Sequence, residues 1–336
     1  MTTEEQIKER LEAVLVPGSM RSLNKLNLVK NVAFSDGKVD IAIASAALGS
    51  ATQEWIKAKV SDVIKGLPKI KRVEIDFVEA IPKELNEVKH VIAIMSGKGG
   101  VGKSLVTGLI GISLARRGYE VGILDADITG PSIPRMFGVN GPPASSESGM
   151  LPPLSHSGIE IMSINLLLAN EDDAVIWRGP LMAKAITQFW EDVLWGKLDY
   201  LLVDLPPGTA DAPLTVMQML PLSGVVVVFS PQELAAMVVR KAVQMTQKMN
   251  IPIIGVVENM SYFLLPDSGK KIEIFGKSKA QEMAKSANAP LLGQLPIDPE
   301  LARLCDEGHI EHYDSEAMRS FADAFLKAEK IHNRFA

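Results

Sequence analysis

HVIAIMSGKGGVGKS, residues 90–104, decides how the rest of the chain is read. Residues 91–95 form a short apolar run rich in β-branched side chains, which predicts a strand buried in a parallel sheet. Beyond Ser96, the residues Gly97, Lys98, Gly99, Gly100, Val101, Gly102, Lys103 and Ser104 fit the spacing of a phosphate loop. Each fixed residue type has a reason. Glycines let the backbone turn tightly and aim its N–H groups at phosphate oxygens. Lys103 places a cation on the β- and γ-phosphates, and the Ser104 hydroxyl is a ligand for Mg²⁺. Residues 105–118, LVTGLIGISLARRG, carry apolar side chains at helical spacing and close on Gly118. Strand, loop and helix therefore follow in the order that the pattern requires.

Two further strand ends point to the same chemistry. A predicted strand at 120–124 runs into DADITGPSIP, placing Asp125 and Asp127 at its carboxyl end, where open α/β sheets bind ligands. Asp127 is the candidate for orienting an attacking water, and the competing role for these carboxylates is capping a turn or helix. A strand at 200–203 runs into DLPPGTAD, so Asp204 has the position of a Walker B carboxylate that holds Mg²⁺. Pro206, Pro207 and Gly208 force a non-helical turn of the kind that a γ-phosphate can grip.

Strands are also predicted at 224–229, 253–257 and 291–295, and helices at 182–194, 213–220, 233–249, 280–286 and 315–332. This alternation predicts an α/β fold, a doubly wound, mostly parallel sheet of the P-loop NTPase kind over residues 90–336. Residues 139–157, rich in Pro, Gly and Ser, read as a surface insertion. Residues 1–80 read as a preceding small α+β domain. It has a first helix capped by Thr3, two strands joined at Ser35-Asp36-Gly37, a helix at 51–67 with Trp55 inward, and a strand at 71–77. Residues 81–89, charged and containing Pro82, read as the linker.

The chain has 336 residues, 47% hydrophobic and 22% charged, the profile of a globular protein with a large core. A formal net charge of -5 disfavours a nucleic-acid partner, and no apolar run is long enough to span a bilayer. The acidic N-terminus, MTTEEQIKERLE, does not read as a secretory signal, so a cytoplasmic location is expected. Cys305 is the one cysteine. It reads as a small buried hydrophobe on a short helix. His309, Glu311 and His312 read as a solvated loop rather than a metal site. The terminal helix, with Phe321, Phe325, Leu326 and Ile331, reads as docked on the core.

GKGGVGKS, with Lys98 after its first glycine, resembles the deviant phosphate loop of the MinD-like ATPases. Together with DADITGPSIP, WRGP at 177–180, LDYLLVDLPPGTAD, VENMSYF, EIFG and LGQLPIDPEL, it resembles the Mrp, or ApbC-like, ATPases over nearly all of residues 90–310. The resemblance implies a homodimer binding ATP and Mg²⁺, with Lys98 reaching the partner's nucleotide and acting in catalysis beside Asp127. It implies that Asn259 touches the adenine, with Pro296 and Asp298 in the adjoining loop. It also implies carriage of a [4Fe–4S] cluster to an apo-protein or assembly partner, and a small leading module. Three smaller departures from the family are Leu105, Ala210 and Val238. A larger one is MSYFLLPDSG, where Leu265 and Ser268 stand in the places of a Cys-x-x-Cys, and ASAALGSATQ also lacks the leading module's usual cysteine. A [4Fe–4S] cluster takes about four thiolates, so the residues leave cluster binding open. The alternative is a cluster-free, nucleotide-switched dimer that grips a partner protein. A MinD- or ParA-like positioning role is disfavoured by the acidic balance and the lack of a basic amphipathic tail.

Overall fold

The computed structural model describes residues 4–127, 130–167, 179–209, 211–232 and 235–332. The chain forms two compact units. The smaller comprises Met1–Lys89, Pro142–Leu154 and Gln188–Leu198, and the larger His90–Gly141, Ser155–Thr187 and Asp199–Ala336.

The first elements are α1 (Glu4–Leu11), β1 (Val29–Ser35), β2 (Lys38–Ala44), α2 (Ser50–Lys65) and β3 (Arg72–Val78). β1 and β2 pair antiparallel, and β3 joins β2 in parallel. Their turn places Asp36 and Gly37 at φ 50 and 85, the left-handed pair that a tight hairpin uses. Ile7, Leu11, Ile41, Ile43, Ile56, Val60 and Ile64 bury their side chains in one core. Trp55, expected inward, is 42% exposed, because the buried face of α2 follows Ile56, Val60 and Ile64. Thr3 lies outside the described residues.

Next come β4 (Glu87–Ser96), α3 (Lys103–Ala115), β5 (Val121–Asp125) and α4 (Ile133–Met136), then the hairpin β6 (Ala144–Ser146) and β7 (Gly149–Leu151). β8 (Glu160–Ser163), α5 (Gly179–Glu191), β9 (Lys197–Asp204), α6 (Asp211–Met219), β10 (Gly224–Phe229) and α7 (Ala235–Lys248) follow. The last elements are β11 (Ile253–Leu264), β12 (Lys271–Ile272), α8 (Ala280–Ala287), β13 (Leu291–Ile297), α9 (Pro299–Asp306) and α10 (Glu316–His332).

The large sheet runs β8-β5-β9-β4-β10-β11, with β13 and the short β12 both on β11. The pairs β5–β8, β5–β9, β4–β10, β10–β11 and β11–β13 are parallel, and β12 is antiparallel. Its strands are apolar runs because helices cover them on both faces. Every residue of β10, GVVVVF, is buried. This is the doubly wound sheet that the alternation predicted.

Three details differ from the sequence reading. Residues 81–89, read as the linker, carry structure of their own: Pro82–Glu84 make a 3-10 turn and β4 begins at Glu87. Residues 142–154 are not a surface insertion, since Leu151 is buried in the small unit's core beside Leu194. β8 has four residues, all buried, and nothing in so short a run tells strand from loop.

Candidate nucleotide-binding site

The site grows from the carboxyl ends of β4, β5 and β9. Ser96, the last residue of β4, donates its hydroxyl to the Lys98 carbonyl at 3.0 Å and accepts the Gly208 N–H on its own carbonyl at 2.9 Å. The DLPPGTAD turn is thereby tied to the phosphate loop. Gly100 and Gly102 take φ 78 and 77, which favours glycine. A Cβ on Gly102 would also lie 2.2 Å from Asn259 Nδ2. The loop leads directly into α3, whose first turn carries no acidic residue. Its N-terminal N–H groups and macrodipole face the loop, the arrangement that suits an anion.

Behind the loop lies a buried cluster of charge. β5 and β9 pair with Asp125 opposite Asp204, so the register sets the two carboxylates side by side. Lys103, 5% exposed, places its Nζ 2.6 Å from Asp204 Oδ2 and 3.7 Å from Asp127 Oδ2. Ser104 Oγ donates to Asp204 Oδ2 at 2.5 Å. Asp125 accepts the N–H groups of Asp127, Ser132 and Ile133, so the capping role holds for this residue. Burial pushes its carboxyl up to about 8, and the neighbouring Asp204 charge adds to the shift.

The sequence reading missed Thr107. It is fully buried, and its hydroxyl reaches Asp204 Oδ1 at 2.7 Å and the Lys103 carbonyl at 3.1 Å. The available signal was its place four residues after Lys103, on the same face of α3. Thr107→Val keeps the shape and removes a partner of a buried carboxylate. We expect a loss of about 1–3 kcal/mol of stability, read by equilibrium urea unfolding, with Thr107→Ser close to wild type. An unchanged midpoint in Thr107→Val would show that Asp204 does not depend on this contact.

The Ser104 hydroxyl and the Asp204 carboxylate are hard oxygen donors converging on one point at a helix N-terminus, which fits Mg²⁺. Among the described residues there is no group of three or more His, Cys, Asp or Glu that could hold a metal ion.

The other candidates are spread more widely. Lys98 is exposed and hydrogen-bonds Gln232 Oε1. Asn259, buried in β11, donates Nδ2 to the Val101 carbonyl at 3.0 Å. Pro296 pairs with Tyr262 across β13 and β11. Asp298 caps α9 through the Glu300 N–H at 2.9 Å and accepts the Tyr313 hydroxyl at 2.8 Å. Leu265 and Ser268 sit in the turn between β11 and β12, with Ser268 exposed. Cys305 lies half-buried on α9 against the core, and burial, with Asp306 beside it, pushes its thiol up to about 11. Glu311 is not solvated as expected. It is buried and accepts Ser155 Oγ at 2.7 Å, because Ile310 and Tyr313 anchor its turn in the core. Ile331, expected on the docked face of α10, is 50% exposed, whereas Phe321 and Phe325 are buried. Trp177, Arg178, Ala210 and the side chain of Val238 lie outside the described residues.

Residues 87–330 match the family described as NUBPL iron-transfer P-loop NTPase, and residues 4–77 match one described as iron-sulfur cluster assembly protein. An iron-sulfur cluster carrier protein of Aquifex aeolicus is 39% identical over 354 residues, covering 96% of this chain and 94% of that protein. One from Clostridium perfringens is 46% identical over 237 residues, covering 68% of this chain and 83% of that protein. A solved nucleotide-binding protein from Archaeoglobus fulgidus, in complex with ADP, is 46% identical with a TM-score of 0.65, covering 71% of this chain and 95% of that one. The septum site-determining protein MinD of Pyrococcus horikoshii, complexed with Mg-ADP, has a TM-score of 0.51 at 20% identity over 74% of this chain and 97% of that one, and shows the fold alone. On the match over residues 87–330, the chain belongs to the NUBPL iron-transfer P-loop NTPases.

Proposed function

We propose that the chain is a Mg²⁺-dependent ATPase that works as a homodimer in iron–sulfur cluster carriage. The observation that supports it most is the convergence of Lys103, Ser104, Asp127 and Asp204 behind a glycine-rich loop at the N-terminus of α3. Backbone N–H groups of the loop take the phosphates, and Lys103 exchanges Asp204 for the β- and γ-phosphate oxygens. Ser104 and Asp204 hold Mg²⁺, which neutralises phosphate charge when bound. Asp127 orients the attacking water, and Lys98 of one protomer supports the nucleotide of its partner. Asn259, beside the loop, and Pro296 and Asp298 flank the adenine. A cytoplasmic setting belongs to the same proposal. Among the described residues no helix is long and apolar enough to cross a membrane.

The cargo part of the proposal draws on the family and on relatives named as cluster carriers. A second reading, the cluster-free dimer that grips a partner protein, is favoured by one observation: Leu265 and Ser268 occupy the β11–β12 turn, and Cys305 is half-buried on another element. Thiolates select iron–sulfur clusters, and Leu and Ser do not replace them. On this second reading the wild type loses iron and sulfide on desalting after anaerobic reconstitution. A Leu265→Cys, Ser268→Cys variant is expected to retain about four irons per dimer. Retention in the double variant alone supports the second reading for this chain. A wild-type cluster that survives desalting makes the missing cysteines irrelevant and supports plain carriage.

A further inference from the structure

Glu258 is fully buried and has no part in the steps above. Its carboxylate accepts hydrogen bonds from Ser261 Oγ at 2.6 Å, Ser278 Oγ at 2.7 Å, the Lys279 N–H at 2.7 Å and Gln294 Nε2 at 2.9 Å. These donors come from β11 itself, from the turn before α8, and from β13. Gln294 is also the cross-strand neighbour of Glu258, and its Nε2 lies 3.0 Å from Ser261 Oγ and 2.7 Å from Ser278 Oγ. The carboxylate thus knots together both ends of the segment 261–279 and the strand beside it.

The next residue, Asn259, holds the phosphate loop through the Val101 carbonyl. A bulge aims it there. Between the pairs Glu258–Gln294 and Tyr262–Pro296, β11 advances four residues while β13 advances two. Inside the bulge Met260 takes φ 55, a left-handed conformation unusual for a long side chain. Such backbone persists where its surroundings over-determine it, and here Glu258 and Ser261 clamp it from both sides. There is little slack on the loop side, since Gly102 leaves no room for a Cβ beside Asn259.

We infer that Glu258 is a positioning residue for the nucleotide site: it locks the bulge that holds Asn259 against the phosphate loop, and it ties that loop to the hairpin segment 261–279. Binding at the loop is then felt in the hairpin. The inference rests on the reading that this loop binds nucleotide. Glu258→Gln is the natural test, because an amide group turns an N–H donor toward donors that now meet an oxygen.

The full chain is titrated with Mg·ADP by calorimetry, and amide hydrogen exchange is followed with and without ADP. Wild type is expected to show slower exchange at 261–279 when ADP is bound. Glu258→Gln is expected to weaken ADP binding about tenfold, to keep turnover at saturating ATP within about twofold, and to lose that slowing. Ser278→Ala, on the hairpin side of the knot, is expected to lose the slowing with ADP affinity within about twofold. It carries the test if Glu258→Gln does not fold. Wild-type affinity and intact slowing in the variants would overturn the inference. So would a uniform rise in exchange across the larger unit with the ADP-induced change preserved, which is the signature of a structural role alone. No ADP binding by wild type would overturn the nucleotide-site reading and this inference with it.

Discussion

Lys103→Ala is expected to abolish measurable ATP binding. Lys103 is the cation placed between the phosphate loop and the buried carboxylates, 2.6 Å from Asp204 and 3.7 Å from Asp127. Removing one partner of a buried ion pair costs on the order of 3–5 kcal/mol. Applied to bound phosphate, that is a loss of roughly a hundredfold to a few thousandfold in affinity. The variant also leaves Asp125, Asp127 and Asp204 without that cation, so the ligand-free protein is expected to unfold at lower temperature than wild type. Calorimetric titration with Mg·ATP, run on material whose circular dichroism matches wild type, checks the prediction. Undiminished affinity would mean that ATP does not bind at this loop.

Asp127→Ala and Lys98→Ala should behave differently from Lys103→Ala. Neither residue anchors the cluster: Asp204 keeps Lys103 when Asp127 is gone, and Lys98 is exposed and hydrogen-bonds Gln232. Both variants are therefore expected to bind ATP within a few-fold of wild type. On the proposed mechanism Asp127→Ala removes the group that orients water, and misplacing a reactant costs about a hundredfold or more. On the same proposal Lys98→Ala removes charge supplied where it develops in the transition state, worth about 10²–10³-fold. Loss of turnover with retained binding marks an interaction made in the transition state. Either variant hydrolysing ATP at the wild-type rate would remove that residue from the mechanism.

What the sequence made legible follows from how local each constraint is. The phosphate loop demands fixed residue types at fixed spacing, and residues 97–104 could be read directly. Asp125 and Asp204 were legible because an apolar run ending in Asp marks a strand end at the binding edge of the sheet. Thr107 was not, because a threonine inside a helix has no signature until the register of β9 brings Asp204 to it. The same holds for the contact of Asn259 with the Val101 carbonyl, which spans 158 residues of sequence. Glu258 lies just past the strand predicted at 253–257, and its four donors arrive from segments on three elements. In the small unit, β1, β2, α2 and β3 followed from local pattern. The joining of 142–154 and 188–198 to that unit did not, because it depends on distant residues such as Leu151 and Leu194 meeting one core.

The central claim is that this loop and its carboxylates hydrolyse ATP with Mg²⁺ between two copies of the chain. Phosphate release from ATP, measured over a range of protein concentrations with Mg²⁺ or with EDTA, tests it most directly. The account predicts release that requires Mg²⁺, with a rate per chain that rises with protein concentration as dimers form. Release that is unaffected by EDTA, or no release at any concentration in the presence of Mg²⁺, would contradict it.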